Sequence, residues 1–238
     1  MELFLECLPC LLRQSLEAAR MATPDEAVRA EIMDEAMATL TRYRTFGCAP
    51  ELAAAIHEVV KERTGQADPY EGVKARDIAA ALRLEPLIQQ FAATGPNPLL
   101  QALKVSATGN VMDSALFGNL DIEACVAQEL EMPFAVCDVH ALVADLQDAR
   151  TVLIVGDNAG EAVFDTVLAE ELSGRCEVAF AVRDRPIIND VTAREAQAVG
   201  MDAHATIVST GCAAPGAILA ACSQEFQALF DQADIVIS

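Results

Sequence analysis

The sequence predicts an α/β fold: a helical N-terminal domain over residues 1–105, then a three-layer α/β domain over 106–238 with a mostly parallel sheet. Three observations predict it. Up to about residue 95, apolar positions recur at helical spacing, alanine is abundant and β-branched residues are sparse. After residue 150, short β-branched runs alternate with helical segments through brief connections, as in βαβ units. Hydrophobic residues make up 53% and charged residues 22%, enough apolar surface for a substantial core.

In the first half, Leu8, Leu11, Leu12, Leu16 and Ala19 mark one helix. Pro24-Asp25-Glu26 opens a second, with acids in the first turn where the helix dipole favours them. Gly47 breaks the pattern, Pro50-Glu51 starts a third helix and Gly65 ends it. Asp77 to Leu84 and Leu87 to Ala92 continue in helical style up to the turn at Thr94-Gly95-Pro96-Asn97-Pro98. Residues 106–148 are transitional: helices are expected near 112–130 and 138–148, and Phe134-Ala-Val-Cys137 has the composition of an extra strand. Strands are then expected at Thr151–Val155, Glu177–Val182, Ala205–Val208 and Asp234–Ile237. Helices are expected between them at Glu161–Leu172, Val191–Val199 and Ala217–Phe230.

Charge and leader signals exclude several classes. With 36 acidic and 16 basic residues the chain carries a formal charge of -20, a surface that repels nucleic acid and anionic lipid. No apolar run reaches the roughly 18–20 residues of a membrane span. The opening Met1-Glu2-Leu3-Phe4-Leu5-Glu6 lacks the basic start of a secretory signal. Six of the eight cysteines stand singly among apolar neighbours, so a reduced, cytoplasmic protein is expected.

Ligands of an open parallel sheet bind outside the carboxyl ends of its strands. That edge carries Gly156-Asp157-Asn158-Ala159-Gly160-Glu161, then Arg183-Asp184-Arg185-Pro186 leading to Asn189-Asp190, then Ser209-Thr210-Gly211. Asp157, Asn158 and Asp190 together are an oxygen-rich set suited to a hard divalent cation. Each alone also reads as a helix cap: Asn158 with Glu161 has capping-box spacing, and Asp190 precedes Val191 as an N-cap would. Both readings stay open on spacing alone. A dinucleotide site is disfavoured, because the three-glycine fingerprint is absent and Asp157 occupies the place of the pyrophosphate.

Four segments carry a resemblance to the damage-control phosphatase family, domain-of-unknown-function family eighty-nine, in its branch with an N-terminal CxxC. They are Cys7-Leu8-Pro9-Cys10; Gly109-Asn110-Val111-Met112-Asp113; Gly156-Asp157-Asn158-Ala159-Gly160-Glu161 with Phe164-Asp165; and Arg185-Pro186-Ile187-Ile188-Asn189-Asp190-Val191-Thr192. Asp68-Pro69-Tyr70 with Lys74 is a looser match. The resemblance implies a Rossmann-like α/β domain and a metal-dependent phosphomonoesterase using Mg²⁺, Mn²⁺, Co²⁺ or Ni²⁺. Its metal ligands would be Asp157, Asn158 and Asp190, and Asn110, Asp113 and Asp157 would be catalytic. Asn110, Ser209 and Arg183 would contact a small phosphorylated metabolite, a sugar phosphate or a phosphopantetheine-like compound. The family continues past strand four into a Lys-Gly-Gln-Gly-Asn segment whose lysine would bind phosphate. The chain ends at Ser238, and its C-terminus is read as incomplete. Lys104, Arg183 and Arg185 are the remaining basic candidates. Cys7 and Cys10 stay open between core, second metal site and redox pair. The alternatives are an S-adenosylmethionine-dependent carboxyl methyltransferase and a non-catalytic metal- or metabolite-binding protein.

Overall fold

The computed structural model describes residues 3–117 and 121–238. Helices α1 (Cys7–Ala22), α2 (Glu26–Thr41) and α3 (Ala49–Thr64) form a bundle of their own. Asp25 caps α2 by accepting from the amides of Ala27 and Val28, and Gly65 ends α3 in the left-handed conformation. The bundle closes around Leu11, Leu52 and Ile56 at one end and Ile32, Val60 and Tyr70 at the other. A fully buried aliphatic side chain of this kind contributes about 1.5–3 kcal/mol.

Helix α4 (Glu71–Thr94) is a single element of 24 residues. The two helical stretches expected on either side of Pro86 are one helix, with the proline inside it. Proline removes one intrahelical hydrogen bond but does not prevent continuation where packing holds the flanks. Ala81 and Ile88, on either side, are fully buried. α4 and α5 (Pro98–Thr108) pack against α8 (Ala162–Ser173), in the same apolar cluster as the sheet.

The sheet contains β1 (Thr151–Val155), β2 (Glu177–Val182), β3 (Thr206–Ser209) and β4 (Ile235–Ile237) in the order β3-β2-β1-β4, every pair parallel. The α/β architecture with a parallel sheet is as expected. β1 is central, and Val152, Leu153 and Ile154 are buried, as a strand covered on both faces requires. The chain moves outward from β1 to β2 to β3, then returns to place β4 on the other side of β1. The crevice between the carboxyl ends of β1 and β4 is therefore the topological switch point, where ligands of such sheets bind.

Three expectations are corrected. Phe134–Cys137 is not a strand; the segment runs as an irregular connection between α6 (Ile122–Glu131) and α7 (Val139–Asp145) and pairs with no edge of the described sheet. The helix expected over 112–130 is a 3-10 helix, Gly109–Phe117, followed by α6; residues 118–120 lie outside the described residues. The helix expected over Ala217–Phe230 is one 3-10 turn, Leu219–Ala221, and then α10 (Gln224–Gln232). Ser223 resets the start by accepting the Phe226 amide. α9 (Ala193–Ala198) completes the described α-helices.

Candidate active site

The first acid motif follows β1 directly. Gly156 has no room for a side chain: a Cβ there would lie 2.4 Å from Phe180 Cζ and 3.1 Å from Val191 Cγ1. Gly156→Ala is therefore expected to cost about 1–3 kcal/mol by overpacking and to push the β1 exit off its position. Thermal unfolding checks this; a wild-type melting temperature would contradict it.

Beyond Gly156 the chain is laced to the segment after β2. Val191 N–H donates to Asp157 O at 2.7 Å, and Ala159 N–H donates to Asn189 O at 2.9 Å. Asn158 and Asp190 form an isolated antiparallel bridge. These backbone bonds bring Asp157-Asn158 and Asn189-Asp190 together outside the carboxyl ends of β1 and β2.

Neither motif caps a helix by its side chain. α8 begins at Ala162 with no side-chain cap, and the Asn158 amide instead donates to Glu161 Oε1 at 3.0 Å. α9 is capped by Thr192 and Glu195, which form a complete capping box two residues after Asp190. The capping reading of Asp157, Asn158 and Asp190 is thereby overturned.

One guanidinium joins the two acids. Arg183 Nε donates to Asp190 Oδ2 at 2.6 Å, Nη2 to Asp157 Oδ1 at 3.1 Å, and Nη1 to Gly156 O at 3.1 Å. Side-chain exposure is 2% for both Arg183 and Asp190, against 56% for Asp157. Gly216 N–H also donates to Asp190 Oδ2. Burial pushes the Asp190 carboxyl above the usual carboxylate range, and Arg183 pulls it back. Partial desolvation raises Asp157 in the same way, against the same guanidinium. Burial lifts Glu161 to about 7, with the Asn158 amide opposing it. Asp165, which accepts from Ser106 Oγ at 2.6 Å, is lifted by burial to about 6.

The helical half supplies the facing wall. Asn110 and Asp113 lie on the 3-10 helix, where three residues make one turn, so the two share a face. Both are exposed. Asp113 Oδ1 accepts from Asn189 Nδ2 at 3.0 Å. A Cβ on Gly109 would come within 3.2 Å of Phe164 Cβ, and one on Gly160 within 3.2 Å of Met112 Cβ, so these glycines set the close approach of the two halves. Asp157 borders two cavities. One, of about 960 Å³, also touches Asn110, Glu161, Asp165, Arg183, Phe134 and Leu142. The other, of about 1220 Å³, also touches Asp113, Asn158, Asp190, Cys7, Cys10 and Cys48.

Some expected site residues stand elsewhere. Ser209 ends the edge strand β3, lines neither cavity and donates to Asp184 Oδ1 at 3.0 Å. Arg183 borders the cleft but is directed into the two carboxylates. Lys104 donates to Leu130 O, and Arg185 is exposed beside Asp184. Cys7 and Cys10 have free thiols at the second cavity. Among the described residues no three His, Cys, Asp or Glu side chains converge as metal ligands, so a second metal at Cys7 and Cys10 has no completed set. The acid site is two carboxylates and an amide, with Asn158 Oδ1 unpartnered among the described residues. Sequence reasoning missed Gly216, and with it Ile188, whose backbone φ is 38°.

A family model described as the damage-control phosphatase ARMT1-like domain matches residues 3–238. The chain belongs to this family. A damage-control phosphatase of Archaeoglobus fulgidus is 30% identical over 239 residues, covering 98% of this chain and 82% of that protein. A damage-control phosphatase of Pyrococcus horikoshii is 28% identical over 237 residues, with the same coverage. An uncharacterized protein of Methanocaldococcus jannaschii is 29% identical, covering 98% of this chain and 79% of its own length. The crystal structure of a DUF89 family protein from Pyrococcus horikoshii superposes with a TM-score of 0.89 over 100% of this chain and 84% of that one, at 28% identity. The family membership that the four motifs suggested is thus established, and so is the fold it implied.

Proposed function

We propose that the chain is a divalent-cation-dependent phosphatase of small phosphorylated metabolites, with Asp157, Asn158 and Asp190 holding the cation. One observation carries this reading: the three side chains are brought together outside the carboxyl ends of β1 and β2 while capping no helix. The donor set fits the cation. Eight acids border the two cavities, four of them, Asp113, Asp157, Glu161 and Asp190, around the β1 exit, and Arg183 is the only basic side chain among their described lining residues. Desolvation has raised three of the four. A hard divalent ion takes oxygen ligands of this kind.

Each residue then has a role its position supports. Arg183 holds Asp157 and Asp190 at a set separation from beneath. Asn158, fixed by its bond to Glu161, lines the second cavity and keeps its side-chain oxygen for a ligand. Asn110 can donate to a phosphoryl oxygen from the opposite wall. Asp113, oriented by Asn189, can accept a proton from an attacking water. Bound in this site, the cation would supply charge neutralisation at the phosphoryl oxygens. Cavities of this size accommodate a sugar phosphate or a phosphopantetheine-like ester. The test is an add-back series: chelated protein given Mg²⁺, Mn²⁺, Co²⁺ or Ni²⁺, each assayed against a panel of phosphate monoesters. Turnover with no member of the panel under any of the four metals would contradict the proposal.

The raised acids give a pH prediction. Protons compete with a cation for carboxylates, and Asp190, raised by burial to about 7, still holds a large share of its proton near neutrality. Mn²⁺ affinity is expected to climb from about pH 5 to about pH 8 and then level off. Calorimetry across that range checks it, and a flat profile would contradict it. The sign for stability without cation is the reverse. These carboxyls sit above their unfolded values, so the folded state gains stability as pH falls through about 7 towards the unfolded carboxylate range.

A further inference from the structure

Of two lysines in the helical half, Lys61 reaches the loop that carries Asp190 and Lys74 reaches Glu195 on α9, which is bonded to the end of that loop. Lys74, on α4, is 1% exposed and its Nζ lies 2.7 Å from Asp68 Oδ2 and 2.9 Å from Glu195 Oε1. Glu195 in turn accepts from the Thr192 amide at 3.0 Å and from the Thr192 hydroxyl. Thr192 is bridged to Arg183, the residue that grips Asp157 and Asp190. Lys61, on α3, donates to Pro186 O at 2.6 Å. Between these anchors Ile188 packs into the bundle cluster that holds Val60 and Tyr70.

The loop needs such anchoring. A β-branched residue at φ 38° is strained, and strain of that kind persists only where the surroundings over-determine it. A buried ammonium likewise is retained only with fixed, hydrogen-bonded partners. The Asp68-Pro69-Tyr70 segment supplies both: Asp68 pairs with Lys74, and Tyr70 lies in the cluster that seats Ile188.

We infer that Lys74, seconded by Lys61, is a positioning residue that holds residues 184–192 so that Asp190 stands against Asn158 before any ligand arrives. The inference rests on the cation-site reading for its consequence but not for its geometry. An ordinary ion pair between halves would stabilise α4 against α9 and go no further. Here the anchors converge on one loop, and that loop is hydrogen-bonded to the β1 exit through Ala159 and Val191.

The experiment is Lys74→Met in the full chain, read by Mn²⁺ calorimetry and by site-resolved amide exchange. Mn²⁺ affinity is expected to fall by about tenfold or more, as when a partner that orients a metal ligand is lost. Protection of the Ala159 and Val191 amides should fall with it, while Ile154 and Phe180 in the sheet keep theirs. A folded Lys74→Met protein with wild-type affinity and wild-type protection at Ala159 and Val191 overturns the inference. If that variant does not fold, Lys61→Met decides on the same two readouts, and wild-type values for both overturn it. Should the wild type take up no Mn²⁺, the cation reading fails, and amide protection alone decides the positioning role.

Discussion

Asp157→Asn is expected to abolish phosphatase turnover and leave the fold standing. The side chain is 56% exposed and caps no helix, so little of the folded structure depends on its charge. The asparagine keeps an oxygen but removes one of the two negative charges among the proposed ligands. Mn²⁺ affinity should fall by about tenfold or more, at least about 1.4 kcal/mol. Wild-type protein should melt higher with added Mn²⁺ by mass action, and the variant should not. Calorimetry and melting curves with and without Mn²⁺ check both statements. A variant that binds and turns over like wild type would remove Asp157 from the site. Asp190→Asn should lose turnover too, with little loss of stability in the absence of cation. Burial already raises the Asp190 carboxyl, an asparagine oxygen can still accept from Arg183, and Asp157 still pairs with the guanidinium.

Arg183→Met has the largest expected effect on the uncomplexed fold. It leaves Asp157 and Asp190 without their shared counter-charge and Gly156 O without its donor. Removing one partner of a buried ion pair costs about 3–5 kcal/mol. For a domain of this length that lowers the melting temperature by roughly 6–20 °C. Added Mn²⁺ should recover more stability in this variant than it adds to the wild type, because two facing acids then have no other cation. Equal Mn²⁺ gains in the two proteins would show that the acids do not share a cation.

The sheet was legible in the sequence because its strands are short β-branched runs between glycine-bearing turns. β1 and β2 fall on the expected residues, β3 is shifted by one residue at both ends, and β4 starts one residue later. Pro86 misled because packing on both sides of it outweighs one missing hydrogen bond. Phe134–Cys137 misled because strand composition does not by itself carry a segment alongside a sheet edge. At the site, the pairing of Asp157-Asn158 with Asp190 follows from adjacent strands and was readable. The true cap of α9 was readable as well, since Thr192 and Glu195 have capping-box spacing, but Asp190 stood earlier and masked it. What was not readable is what reaches across from the helical half. Lys61, Lys74 and Ile188 lie far in sequence from one another or from their targets, and no periodicity links them.

The central claim is that the paired acids at the β1 exit work through a divalent cation on a phosphate ester. Its most direct test is hydrolysis of p-nitrophenyl phosphate by protein stripped with a chelator, then titrated with Mn²⁺. The account expects no turnover after stripping and a saturable return of turnover as Mn²⁺ is restored. Turnover that survives stripping unchanged would contradict it.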